Sequence, residues 1–238
     1  MFFLIVIYNK KILESNSFKF LFKKENIIIF DNSDIFSLQQ NNELFCQKEK
    51  IMYFTKNKNI GLSKAYNYVF DKIKNLDFKY LVICDDDTEF NIEFLNEIRR
   101  KTNDFLLPQI YSNQEKKIVF PNFDKKIIRS INSGLVLSKK IIENERYDEK
   151  YFCYCSDFVF IEKLQKKYNY EILESIINQN FFEHSLNYNK QIYQQLKIRL
   201  KDTKKYYNFF KYQYFKIGYV FENYKKRKNK EIFKLLFI

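Results

Sequence analysis

Short apolar runs, each closed by polar or acidic residues, constrain this chain more than any other feature. "FFLIVIY" (Phe2–Tyr8), "NIIIF" (Asn26–Phe30), "IMYF" (Ile51–Phe54) and "YLVIC" (Tyr80–Cys84) have the length and the β-branched and aromatic content of buried strands. Between them Leu62, Ala65, Tyr66, Val69 and Ile73 recur at helical spacing, and Ile92–Arg100 reads as a further helix. Apolar strands alternating with helices predict an α/β domain, a mostly parallel sheet covered by helices. Ligands bind such sheets at the carboxyl ends of the strands. Polar residues stand at those ends: Tyr8 and Asn9, "DNSD" (Asp31–Asp34) and "DDDT" (Asp85–Thr88).

The second half is more mixed. "SGLVLS" (Ser133–Ser138) reads as a strand, Ser156–Tyr168 as a helix, and "YEIL" and "FFEHS" as strand ends. From Ile192 onward, Leu196, Leu200, Thr203, Tyr207, Phe210, Tyr214, Ile217, Phe221 and Tyr224 recur at spacings of three and four. That pattern predicts one long amphipathic helix, or two with a break near Gly218. The chain therefore divides into a body, residues 1–189, and a helical extension, residues 190–238.

Charge follows the same division. The net charge is +13 over 238 residues. Residues 190–238 hold 14 Lys and Arg against 3 acidic residues, a net of +11, which leaves +2 for the body. A basic extension suits an anionic membrane or nucleic acid. The N-terminal apolar run is too short for a signal peptide or a membrane span, and no later stretch approaches one. The expectation is a cytoplasmic protein, peripheral on the inner face of the membrane.

Several functions are excluded by residue counts. With three glycines, Gly61, Gly134 and Gly218, the chain has no Walker loop and no GxGxxG loop. The four cysteines form no CxxC. A zinc set of Cys46, Cys153, Cys155 and His184 fits no standard spacing, and reduced thiols in a reducing compartment are expected instead.

The aspartates at the end of "YLVICDDDTEF" carry the chemistry. Three adjacent like charges repel, so either solvent screens them in a turn or a cation compensates them. Asp85 and Asp87, one residue apart, can turn to the same side as hard oxygen ligands for Mg²⁺ or Mn²⁺, with positions left open for a diphosphate.

In chain order, "IIIFDNSD", "NKNIGLSKAYN", "CDDDTEF", "INSGLVLS", "YCSDFVFIEKLQKKY" and "FFEHS" resemble family 2 of the nucleotide-sugar glycosyltransferases, the rhamnosyltransferase-like branch most. The resemblance covers roughly residues 2–190. It implies a GT-A fold and inverting, metal-dependent transfer of one sugar from a UDP- or dTDP-sugar to a cell-surface glycan or a lipid-linked precursor, as in bacterial polysaccharide biosynthesis. It also implies roles. Asp31 would meet the pyrimidine, and Tyr8, Asn59, Gly61 and Asn67 would border the nucleotide. Asp85 and Asp86 would contact the donor. Asp87, with Asp85, would hold the metal, and His184 would lie near the metal or the diphosphate. Asp157 would be the catalytic base, with helix capping as its alternative role. The chain departs from the pattern in having Ser156 where relatives often carry a second acid. It also lacks the late Arg-rich signature and the QxxRW motif, which implies a single transfer.

Three other functions compete. A sugar nucleotidyltransferase needs a Gly-rich loop after the first strand, and "IYNKKILES" has none. A nucleic-acid-binding protein leaves the acidic strand ends unexplained, so nucleic acid is an unlikely partner. A non-catalytic glycan-binding relative would keep the sites without turnover.

Overall fold

The computed structural model describes residues 1–124, 126–181 and 190–238. The four N-terminal strands form where the apolar runs place them: β1 (Phe2–Ile7), β2 (Asn26–Asp31), β3 (Met52–Thr55) and β4 (Tyr80–Asp85). They pair in parallel in the order β4-β1-β2-β3. Successive side chains alternate between two apolar layers. Leu4, Ile28, Phe30, Leu81 and Ile83 face one layer, which holds α3 (Leu62–Ile73), α5 (Lys139–Asn144) and α6 (Ser156–Leu164). Phe3, Ile5, Ile29, Val82 and Cys84 face the other, beneath α1 (Asn16–Leu21), α2 (Phe36–Lys48) and α4 (Ile92–Arg100).

The sheet continues past β4 through β9 (Val136–Ser138), β5 (Phe105–Ser112) and β10 (Tyr170–Gln179), with β6 (Lys117–Phe120) on β5. β9 runs antiparallel between β4 and β5, so the sheet is mixed. β7 (Asn122–Asp124) and β8 (Ile127–Arg129) form a separate hairpin. β5 escapes a sequence reading because Pro108 sits in it, and proline lacks the N–H that a central strand donates. The fold accommodates Pro108 with a register shift in β10 between Ile172 and Ile176. Side chains serve the displaced backbone: Gln109 donates to the carbonyls of Leu173 and Glu174, and Glu97 accepts from the N–H groups of Glu174 and Ser175.

Two boundaries differ from expectation. α6 ends at Leu164, four residues before Tyr168. The C-terminal extension breaks at Tyr207–Asn208, far from Gly218, giving α7 (Lys190–Tyr206) and α8 (Phe209–Arg227). Asn208 caps α8 by accepting from the N–H of Lys211, which is why the new helix starts there. Gly218 lies inside α8. The break also ends the single apolar stripe. Ile192, Leu196, Leu200 and Thr203 are buried, but Phe210, Tyr214, Ile217 and Phe221 are exposed, and α8 packs inward through Tyr212, Tyr219 and Val220. Of "FFEHS" (residues 181–185) only Phe181 is described; residues 182–185 lie outside the described residues.

A tight 3-10 segment, Lys230–Phe237, folds back and buries Ile232 and Leu235 against Ile192, Leu196, Leu200, Tyr219 and Val220. The chain terminus is thus part of the apolar cluster that holds α7 and α8 together. Leu235→Ala should cost about 2–5 kcal/mol of stability, the usual range for deleting a buried leucine side chain. Chemical denaturation that shows no loss would place the terminus outside this cluster.

Candidate active site

The sheet changes direction of travel at β1: the chain moves outward through β2 and β3, then returns to the opposite side with β4. Crevices open at the carboxyl ends of strands at such a point. The registers bring Asp85 beside Val6 and Asp31 beside Ile7 at this edge. Two confluent cavities lie here. One, of about 790 Å³, is lined by Asp85, Asp86, Asp87, Asn132, Cys153, Asp157, Gln179 and Arg199 among others. The second, of about 700 Å³, is lined by Tyr8, Asn9, Asn32, Asn59, Gly61, Asp86 and Phe152 among others. Val6, Leu62, Asp86 and Cys153 line both.

The acidic turn is clamped by its backbone. The start of α1 supplies the clamp: Ser15 Oγ and the Asn16 N–H donate to the Asp86 carbonyl, each at 2.8 Å, and Ser17 Oγ donates to the carbonyls of Asp85 and Thr88. The three side chains then part ways. Asp86 pairs with Lys10. Asp85 accepts from Ser133 Oγ, and Asp87 accepts from Gln179 Nε2 at 2.5 Å. Gln179 is itself held by the Thr88 hydroxyl at 2.7 Å. Burial above all, with neighbouring aspartates adding to it, pushes the Asp85 carboxyl up to about 6 and Asp87 up to about 7, against the lowering effect of the hydrogen bonds from Ser133 and Gln179.

Asp157 stands in the first turn of α6 and accepts from the N–H of Phe158 at 2.8 Å. It is not the cap: Cys155 holds that place in a left-handed conformation, φ 63°. Burial pushes Asp157 up to about 7, against hydrogen bonds from backbone N–H groups and the Arg199 guanidinium, which lower it. Arg199, on α7, lies over the rings of Tyr154, Phe215 and Tyr219. The larger cavity is lined by five acidic side chains, Asp85, Asp86, Asp87, Glu115 and Asp157, and two basic ones, Lys117 and Arg199. Its character is acidic in a chain of net charge +13.

Not every expected residue reaches a cavity. Asp31 is fully buried, and its carboxylate accepts from the Ser33 N–H, Asn42 and Tyr53. Asp34 is the exposed acid of that strand end: it accepts from the Tyr8 hydroxyl and the Asn59 N–H. Asn67 is also turned inward, donating to the Tyr147 carbonyl and Glu149 and accepting from the Tyr147 N–H. It anchors the loop ahead of α6 instead of bordering the smaller cavity. Gly61 does border it, at φ +83°, and a Cβ there would meet the Phe152 carbonyl oxygen at 2.6 Å. His184 lies outside the described residues. The cysteine set does not assemble: Cys46 is a core residue, and no cluster of three or more His, Cys, Asp or Glu suited to a metal exists among the described residues.

Four residues that sequence reasoning passed over shape the site: Ser133, Gln179, Arg199 and Asp202. Asp202 is the sole acid in α7 and is 1% exposed. Its carboxylate accepts from three successive N–H groups, Phe152 at 3.1 Å, Cys153 at 2.8 Å and Tyr154 at 3.0 Å, and from Lys205. From the other side, the Leu62 N–H donates to the Phe152 carbonyl at 2.6 Å. The loop leading to Asp157 is thus held between the Gly61 turn and α7, which makes Asp202 a positioning residue. A lone aspartate among lysines was the only local signal. Hydrogen bonds to a charged group contribute about 1.5–3 kcal/mol, so Asp202→Ala should destabilise the protein on that order. Amide exchange at residues 152–154 should accelerate selectively. Unchanged protection there would remove the positioning role.

The family model for glycosyl transferase family 2 matches residues 5–217, beyond residue 189 and into α8. None of the curated proteins matches the sequence. Among solved structures, S. aureus TarS is similar at 15% identity and TM-score 0.54, over 83% of this chain and 38% of that one. S. aureus TarS 1–349 in complex with UDP aligns at 12% identity and TM-score 0.56, over 85% and 65%. GalNAc-T7 with UDP, GalNAc and Mn²⁺ aligns at 11% and 0.52, over 83% and 47%. The chain therefore spans less than two thirds of the length of these structures, and at such identities the likeness is one of fold, the GT-A fold. With the family match running over most of its length, the chain belongs to glycosyl transferase family 2.

Proposed function

We propose that this chain is an inverting, metal-dependent glycosyltransferase. It moves a single sugar from a UDP- or dTDP-sugar to a cell-surface glycan or lipid-linked precursor, at the inner face of the cytoplasmic membrane. One observation carries the reading: three half-buried carboxylates, Asp85, Asp87 and Asp157, converge on one acidic cavity at the carboxyl edge of the sheet. An anionic diphosphate does not enter such a cavity unless a cation offsets the charge. UDP in the TarS complex and UDP with Mn²⁺ in the GalNAc-T7 complex support the same class of donor and ion.

The donor set suits a hard divalent cation, Mn²⁺ or Mg²⁺. Mg²⁺-type sites take one or two carboxylates and complete their shell with water and phosphate, and Asp85 and Asp87 supply that pair. Asp85 and Asp87 accept from the neutral side chains of Ser133 and Gln179, whereas Asp86 is paired with Lys10. Bound there, the ion would act as a Lewis acid on the departing diphosphate. Gln179 and Ser133 orient the two carboxylates. Tyr8, Asn32 and Asn59 line the compartment that suits the nucleoside, with Asp86 where the two compartments meet.

Asp157 acts as the base. The acceptor hydroxyl proton passes to its carboxylate as the acceptor oxygen bonds to the anomeric carbon. The bond from that carbon to the diphosphate oxygen breaks, and its electron pair leaves with the diphosphate. A carboxyl raised to about 7 is a better proton acceptor near neutral pH than an ordinary aspartate.

Asp157→Asn should lower transfer about 10²–10⁴-fold with little change in donor affinity; transfer at the parental rate would remove it as the base. Asp87→Ala should abolish metal-dependent thermal stabilisation by UDP- or dTDP-sugars while the fold survives by circular dichroism. Metal and pH should be linked. Protonated Asp85 and Asp87 must ionise to bind a cation, so affinity for Mn²⁺ should rise with pH through the region of about 6 to 7 where they titrate. The sign for stability is the reverse. Carboxyls raised in the folded state hold protons that the unfolded chain releases, so the metal-free protein should lose stability as pH rises from about 4 to about 7. Calorimetry showing pH-independent Mn²⁺ binding would place the ion elsewhere.

A further inference from the structure

α8 presents two different faces. Tyr212, Lys216, Tyr219, Val220, Asn223 and Arg227 are buried. On the opposite side Phe210, Tyr214, Ile217 and Phe221 follow one another at steps of four, three and four, with exposures of 83%, 86%, 51% and 47%. Eleven residues of helix at 1.5 Å each make this an apolar line about 16 Å long. Phe209 projects beside its start. A Cβ added at Gly218, within the line, would meet nothing within 4 Å. Exposed Lys211 and Lys225 flank the line. From Phe209 to the C-terminus there are eight Lys and Arg against two acidic residues, a net of +6.

We infer that this face of α8 docks on an anionic lipid bilayer, with Phe210, Tyr214, Ile217 and Phe221 in the headgroup–acyl boundary and the lysines toward lipid phosphates. A helix with an aromatic and aliphatic line between lysines is built to lie in a membrane interface. The charge selects this occupant over a second copy: two surfaces of the same positive sign repel. The apolar line selects it over nucleic acid, since Ile217 at its centre offers no face for a base to stack on. The site of contact moves accordingly. The terminal apolar residues Ile232 and Leu235 are buried inside the protein and take no part in the contact.

The face runs into the mouth of the active site. Tyr207 lines the large cavity and also a small cleft with Phe210, Lys211 and Tyr214. Docking through α8 therefore brings the cavity to the bilayer surface, where a membrane-anchored acceptor would present its hydroxyl. That consequence rests on the proposed transferase function; the docking itself does not.

The test uses the full chain and two readouts. Sedimentation with phosphatidylglycerol-containing vesicles reads docking, and thermal stabilisation by UDP with Mn²⁺ reads the donor site. The parent should sediment with anionic vesicles, bind phosphatidylcholine vesicles far more weakly, and release as salt rises. The triple variant Phe210→Gln, Ile217→Gln, Phe221→Gln keeps the charge and alters only exposed positions, so circular dichroism should match the parent. Its vesicle partitioning should fall at least about tenfold with the UDP response retained. Equal sedimentation of parent and triple variant overturns the inference, as does a parent that ignores anionic vesicles. It also falls if light scattering shows a dimer that the triple variant abolishes while vesicles have no effect, or if DNA outcompetes vesicles. Vesicle binding without a UDP response would leave docking in place and remove the proposed donor instead.

Discussion

Two-sided burial of β1, β2 and β4 is the constraint from which the rest follows. Each of these strands sends alternate side chains into two apolar layers, so none has a face left for polar residues. Polarity is pushed to the strand ends. Parallel pairing then collects those ends on one edge, and the return of the chain past β1 opens a crevice there. The position of the acidic cavity is a consequence of where hydrophobic burial forbids charge.

Within the crevice, electrostatics and hydrogen bonding work against each other. Taking Asp85, Asp87 and Asp157 out of water penalises their ionised forms, and at Asp85 and Asp87 neighbouring aspartates add to the penalty. The fold offsets part of this with Ser133, Gln179, the Phe158 N–H and Arg199. The remainder keeps the carboxyls near the point of ionisation, which suits Asp157 to accept a proton and makes cation uptake at Asp85 and Asp87 depend on pH near neutrality. A well-solvated acidic turn would have neither property.

The C-terminal helices are joined to this chemistry by a charge buried at an interface. Asp202 gathers three N–H groups of the 152–154 loop, and Arg199, one turn earlier on the same helix, reaches the cavity. α7 thereby helps fix where Asp157 stands. The apolar cluster of α7, α8 and the terminal segment holds that helix in place, while leaving the outer face of α8 to solvent.

The four N-terminal strands and the polar residues at their ends were legible in the sequence. These rest on short apolar runs and on helical spacing, which are local. Tyr8, Asp85, Asp86 and Asp87 were legible as polar strand ends, and Asn59, Gly61 and Asp157 through the resemblance to the family; all reach the cavities. Tertiary structure decided the rest. Asp31 and Asn67 stand in the right motifs but turn inward, because Asn42, Tyr53 and Tyr147 come from distant positions to claim their polar atoms. Ser133, Gln179, Arg199 and Asp202 carry no local pattern; each matters through a partner 40 or more residues away. The tail shows the same division most plainly. Its spacing predicted helix correctly, but the two-residue break at Tyr207–Asn208 rotated one half against the other. The direction in which a helix faces depends on what packs against it, and no window of sequence contains that.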